Sequence, residues 1–224
     1  MKTLIALTAA ATLTLAASAF AAGPERIRGT ITSATPTTLT VALANGGTQT
    51  ITLASSTKYA ASRASSFGAI SAGEFIGTAT KAEGSKNIAL EVVIFPASMR
   101  GTGEGHYAWD EIPDTTVPGA KTDSSMTNGS VAAAMPARKT ASSMTNGDVR
   151  EEAATSGDKQ LVVTYKGGEQ TILVPPSAPV VQVAPAGFAA LHAGDSVFVV
   201  AAPAAGGLTA LYVNVGTGGT KLAM

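Results

Sequence analysis

GGTQTITL (46–53) and GGEQTILV (167–174) carry one pattern written twice, 121 positions apart. Each places apolar or β-branched side chains at every second position behind a pair of glycines, the mark of a strand leaving a tight turn. At that offset the match runs without a gap from 46–95 onto 167–216, with about a quarter of the positions identical, and so defines an internal repeat. Phe67 meets Phe188, AISAGE (69–74) meets ALHAGD (190–195), and IALEVVI (88–94) meets TALYVNV (209–215). A one-residue gap before the glycine pair brings LTV (39–41) onto LVV (161–163) and Ile27-Arg28 onto Val149-Arg150.

Inside each copy the hydrophobic period is two. Leu39, Val41 and Leu43 precede the turn and Ile51 and Leu53 follow it; Leu161, Val163 and Tyr165 are followed by Ile172 and Val174, and Pro175-Pro176 stops the run. Ala72-Gly73-Glu74 and Ala193-Gly194-Asp195 are turns, each leading into a further hairpin, 75–80 with 88–95 and 196–201 with 208–215. Residues around Phe67 and Phe188 suit a single helical turn. About five short strands per copy favour closure, which removes exposed edges. The expected fold is all-β: two tandem small antiparallel, OB-like β-barrels joined by an irregular linker. The expected division is a signal peptide over 1–21, a first barrel over 25–96, a linker over 97–147, a second barrel over 148–218 and a tail over 219–224.

The start MKTLIALTAAATLTLAASAFAAG has a basic Lys2, an apolar run and an Ala19-Phe20-Ala21 ending, the form of a cleaved export signal. The run is too short and too rich in Thr for a good bilayer span, and later apolar runs are all broken by Gly, Pro or Thr, so no span is expected in the mature chain. The expected location is therefore periplasmic. No cysteine is present, which excludes thiolate metal sites, thiol redox chemistry and disulfide stapling. With 15 basic and 15 acidic residues there is no charge footprint for nucleic acid.

The segment 97–147 is poor in large aliphatic residues and holds a second duplication, SSMTNGSV (124–131) repeated as SSMTNGDV (142–149). The second copy is expected to lead into the first strand of the second barrel, with the first copy in the linker. Paired Met126 and Met144 form a soft-metal alternative.

With RGTITSATPTTLTV (28–41), GHYAWDEIPD (105–114), SSMTNG, VTYKGGEQTILVPPSAPVV (163–181) and LHAGDSVFVVA (191–201), the chain resembles exported bacterial proteins with tandem OB-like β-barrel repeats, of unknown function. Such chains often carry the label of a metal ABC transporter permease. A permease needs several membrane-spanning helices, which this sequence lacks. What the resemblance implies is an envelope accessory that meets a transporter or its metal.

Candidate chemistry concentrates in Glu104–Asp114. His106, Tyr107 and Trp109, the only Trp, are the candidates for ligand or partner recognition, since aromatic side chains on a loop suit binding. The bland alternative makes Tyr107 and Trp109 anchors that fold the linker back over a barrel. The metal alternative uses His106 with Glu104, Asp110 and Asp114 around a divalent metal ion. His192, the other histidine, reads as a turn residue.

No G-x-S-x-G, P-loop, H-E-x-x-H or helix-opening G-x-G-x-x-G occurs. Ser65-Ser66 and Ser124-Ser125 lack a nucleophile's setting, and Glu151-Glu152, adjacent on a strand, would point to opposite faces. No catalytic residue and no cofactor is assigned. The leading expectation is a non-enzymatic periplasmic binding or scaffolding protein whose partner is an envelope protein or small ligand, with no nucleic acid. The alternative is a metal-handling accessory using the His106 loop beside a metal transporter, and an enzyme ranks third.

Overall fold

A computed structural model describes residues 23–136 and 157–223. The expected signal peptide, the second SSMTNG copy with Met144, Val149-Arg150 and Glu151-Glu152 lie outside them. The described chain is all-β: a five-stranded mixed barrel with further strands, three single 3-10 turns and no α-helix. In order the strands are β1 (Glu25–Thr35), β2 (Thr38–Leu43), β3 (Thr48–Ala64), β4 (Phe75–Glu83), β5 (Lys86–Ile94), β6 (Gly105–Ala108) and β7 (Ile112–Pro113). There follow β8 (Lys121–Thr122), β9 (Ser125–Pro136), β10 (Lys159–Tyr165), β11 (Gly168–Val174), β12 (Val180–Pro185), β13 (Ser196–Ala204) and β14 (Gly207–Gly216).

The alternating patterns form the hairpins expected of them. Leu39 sits opposite Ile51 in β2–β3, and Leu161 opposite Ile172 in β10–β11. β4 pairs with β5 and β13 with β14, while Phe67–Ala69 and Phe188–Ala190 are the helical turns.

The hairpins do not assemble within their own repeat. The barrel runs β3-β14-β13-β1-β2 and back to β3, joining 25–64 to 196–216. Its interior holds Ile31, Leu39, Val41, Ile51, Val197, Val199, Val213 and Val215, all nearly or fully buried. β4 and β5, expected to complete a first barrel over 25–96, instead join β9, β10 and β11 in the order β11-β10-β9-β4-β5. There β11 also touches β5 in parallel through Ile172–Asn87 and Leu173–Ile88, curling these strands around a second apolar cluster that includes Ile76, Val92, Leu161 and Ile172.

Both copies cross in the same way, β4–β5 to the second group and β13–β14 to the first, and in the first copy β3 carries the chain over. Its 17 residues, at about 3.3 Å each, reach further than a small barrel is tall, so the chain leaves its own ring before β4 begins. Pro175-Pro176 divides the equivalent run into β11 and β12. β12 lies between β5 and β3 and joins the two groups. Ser62 pairs with Val183, its own counterpart at the 121 offset. The Val93–Val181 contact of β5 with β12 likewise repeats as Asn214–Ala60. The repeat is therefore a pseudo-twofold axis through the Ser62–Val183 pair.

The expected linker is the largest difference in the fold. Within it β9 is a 12-residue strand between β4 and β10, in the place that β1 takes between β13 and β2. Val131 faces Val163 as Ile31 faces Val41. Gly73 N donates to Val131 O (2.7 Å) as Gly194 N donates to Ile31 O (2.8 Å). Thus the first copy of SSMTNG enters the sheet. Strands β6, β7 and β8 belong to an excursion, residues 95–124, in which β6 pairs with the start of β9 and so joins the sheet, β7 and β8 form a separate two-stranded pair, and Asp110 reaches Arg26 and Arg28 of β1.

Candidate functional site

The excursion and strands β5, β12, β13 and β14 of the sheet line a cleft of about 390 Å³. Val93 of β5, Val181 and Val183 of β12, Phe198 and Val200 of β13, and Tyr212 of β14 contribute from the sheet; Met99, Tyr107 and Trp109 contribute from the excursion. The place follows from the fold. Val181, Val183, Val93 and Tyr212 lie on the face around the pseudo-twofold axis, where β3 offers only the small buried Ala60 and Ser62. A third apolar cluster, including Leu90, Ile112 and Met126, lies beside the cleft under the excursion.

Ionic contacts hold the excursion down. Asp110 accepts from Arg26 Nε (2.9 Å) and forms an ion pair with Arg28 Nη1 (2.7 Å). Burial disfavours its charge, but hydrogen bonds and charge from both guanidinium groups outweigh that and hold the carboxyl below its ordinary value. Arg28 shifts downward because burial exceeds what Asp110 returns. The Arg26 guanidinium lies 4.0 Å from the Trp109 ring centre, and Arg28 lies 4.9 Å from that of Phe198. Further along, Asp114 accepts from Lys81 Nζ (3.0 Å) and from the Thr116 hydroxyl (2.6 Å). These bonds outweigh burial and keep its carboxyl below the ordinary range.

Tyr107 and Trp109 come together edge to face, ring centres 6.0 Å apart, and both line the cleft. His106, the neighbour of Tyr107 on β6, points to the opposite face, as adjacent strand residues do. Its Nδ1 lies 2.9 Å from the Thr127 hydroxyl and its ring stacks on Tyr165 at 6.4 Å. The structure therefore brings Tyr107 and Trp109 together and keeps His106 apart from them.

The candidate metal set is likewise dispersed. Glu104 Oε1 accepts from Lys166 N (3.0 Å), Asp110 is held by two arginines, and Asp114 by Lys81. Among the described residues no group of three or more His, Asp or Glu side chains is placed to hold a metal ion. Met126 is buried against the cleft. His192 is exposed in its turn, with Nδ1 3.5 Å from Asp195 Oδ2.

Sequence reasoning missed Glu91, Phe198 and Tyr212. Glu91 is 1% exposed on the cleft lining, and its Oε2 accepts from Ala223 N (3.2 Å), so the tail is tied to the site. A lone carboxylate inside IALEVVI was the available signal, set against Tyr212 at the same place in TALYVNV. Burial pushes the Tyr212 phenol up to about 12, and burial also raises that of Tyr107, opposed by Arg26.

No protein-family model, no curated protein and no solved structure matches the chain.

Proposed function

We propose that this is a non-enzymatic binding protein of the bacterial envelope, exported through a cleaved signal. In this reading the curled strands form a second barrel, and two OB-like barrels that exchange hairpins present a shared sheet as the floor of a ligand site. The observation that carries it is the cleft of about 390 Å³ bounded by Tyr107 and Trp109 from the excursion and by valines from the floor. Its size falls within the range of ligand pockets, about 300–1,000 Å³, and a mostly apolar wall with a few polar groups is the usual lining of one. The carboxylates around it are held by cations or backbone N–H groups, an arrangement suited to positioning the excursion.

The experiment is fractionation of the native host, followed by detergent-free purification and native mass spectrometry. The expected result is an envelope protein shortened near Ala21, with part of the population carrying an added small mass. Recovery from the cytosol at full length, with no added mass and no retained partner, would overturn the reading.

A further inference from the structure

The ionic groups around the cleft cancel. Arg26 and Arg28 bring two positive charges, and Asp110 and Glu91 two negative ones. Asp110 binds both arginines, Glu91 accepts from Ala223 N, and Arg28 lies close enough to Glu91 to feel its charge. A ligand bearing a net charge would find no counter-charge left over and would lose its hydration on entry.

The polar groups at the lining include one buried acceptor without a partner among the described residues, Asn128 Oδ1, and several donors. Trp109 Nε1–H is buried and has no hydrogen-bond partner among the described residues. The Asn214 carbonyl already accepts from the Ser62 hydroxyl (2.9 Å), so the amide offers the cleft its N–H side. The Tyr212 phenol, raised by burial to about 12, stays protonated at neutral pH.

The remaining lining is flat aromatic and branched aliphatic surface. The volume lies near the small end for ligand pockets, about 300–1,000 Å³, which suits a compact ring system better than a long acyl chain or a peptide. From this charge balance, the unpartnered indole N–H and the size we propose that the cleft binds a compact, uncharged, ring-containing apolar molecule, with a carbonyl-type acceptor that receives the Trp109 indole N–H. This rests on the binding reading above and names its ligand class.

The test uses the full chain and three naphthalene probes of similar size. Prodan is neutral and has a ketone, N-phenyl-1-naphthylamine is neutral without a carbonyl, and 8-anilinonaphthalene-1-sulfonate is anionic. Prodan should bind at one site per chain, shift its emission to the blue and quench Trp109 by energy transfer. The arylamine should bind about 3–10-fold more weakly, the range expected for losing one hydrogen bond, and the sulfonate at least about tenfold more weakly.

Trp109→Phe keeps a ring but removes the N–H. Read by probe emission, it should weaken Prodan about 3–10-fold and leave the arylamine nearly unchanged. Val200→Phe, at a half-buried position, should fill the cleft and abolish binding of both neutral probes, while circular dichroism reports an unchanged fold.

Equal or tighter sulfonate binding, or an unchanged Prodan affinity in Trp109→Phe, overturns the ligand class and leaves the binding reading standing. No saturable binding of any probe, or binding that survives Val200→Phe, overturns both. Probe binding that appears only on dilution, as sedimentation shows a dimer dissociating, assigns the cleft to a second copy and also overturns the proposal.

Discussion

Gly29 on β1 and Gly129 on β9 are placed alike, and substituting each by alanine tests whether β9 is the counterpart of β1. A Cβ on Gly29 would lie 2.0 Å from Ala42 O and 2.6 Å from Val41 Cγ1; one on Gly129 would lie 2.3 Å from Thr164 O. Ordinary contact begins at 3.4 Å, so β1 or β9 must retreat by more than about 1 Å from a neighbour whose normal spacing is about 4.8 Å. Nearby ladder bonds then pass beyond hydrogen-bond length. Losing two at about 0.5–1.5 kcal/mol each, with about 1–3 kcal/mol of overpacking strain, gives a cost of about 2–6 kcal/mol per substitution. Urea unfolding followed by far-ultraviolet circular dichroism and Trp109 fluorescence measures it. Gly68→Ala is the control, since its Cβ meets nothing nearer than Ser66 Oγ at 3.8 Å. Should Gly129→Ala stay within about 0.5 kcal/mol of wild type, as surface substitutions do, while Gly29→Ala is costly, the equivalence of β9 with β1 is refuted.

Further expectations concern charge and packing. Asp110 and Asp114 are held below the ordinary carboxyl range, so each adds stability that is present above an unfolded value of about 3.9 and is lost as pH falls through its native value. Asp110→Asn should cost about 1–3 kcal/mol near neutral pH, because it strands the largely buried Arg28, and should flatten the acid limb of the stability profile. Tyr212, raised to about 12, adds stability that is full below the ordinary phenol value near 10 and fades as pH rises from there through about 12; Tyr212→Phe should flatten that alkaline limb. Ile172→Ala, at a fully buried residue on the β11–β5 contact, should cost about 2–5 kcal/mol by calorimetry or urea melts.

Individual hairpins were legible because alternation and turn glycines act over a few residues. Leu39 opposite Ile51 and Leu161 opposite Ile172 follow directly from the glycine pairs between them. Partner choice was not legible. β4 and β13 bury equivalent positions, Ile76, Thr78 and Thr80 against Val197, Val199 and Ala201, so either hairpin suits either group of strands and local pattern does not decide between them. β9 was hidden because SMTNGSVAAAMP holds few large aliphatic residues, although its glycine stands where Gly29 stands in β1. Tyr107 and Trp109 stood out as aromatics in a small-residue segment. Their partners Phe198 and Tyr212 did not, since they reach the cleft from strands about ninety or more residues away that arrive only through the hairpin exchange.

The exchange of hairpins also sets an order of assembly. Among the described strands β1, β2 and β3 are made first, yet the ring they begin is closed by β13 and β14, made last of these. Until 196–216 emerges, the apolar faces of Ile31, Val41 and Ile51 have nothing to cover them, and a chain shortened by that final hairpin leaves an open trough at its beginning. Such distant partners make for slow folding, and a nascent chain of this design stays open, and available to whatever machinery handles it, until its last strands are complete.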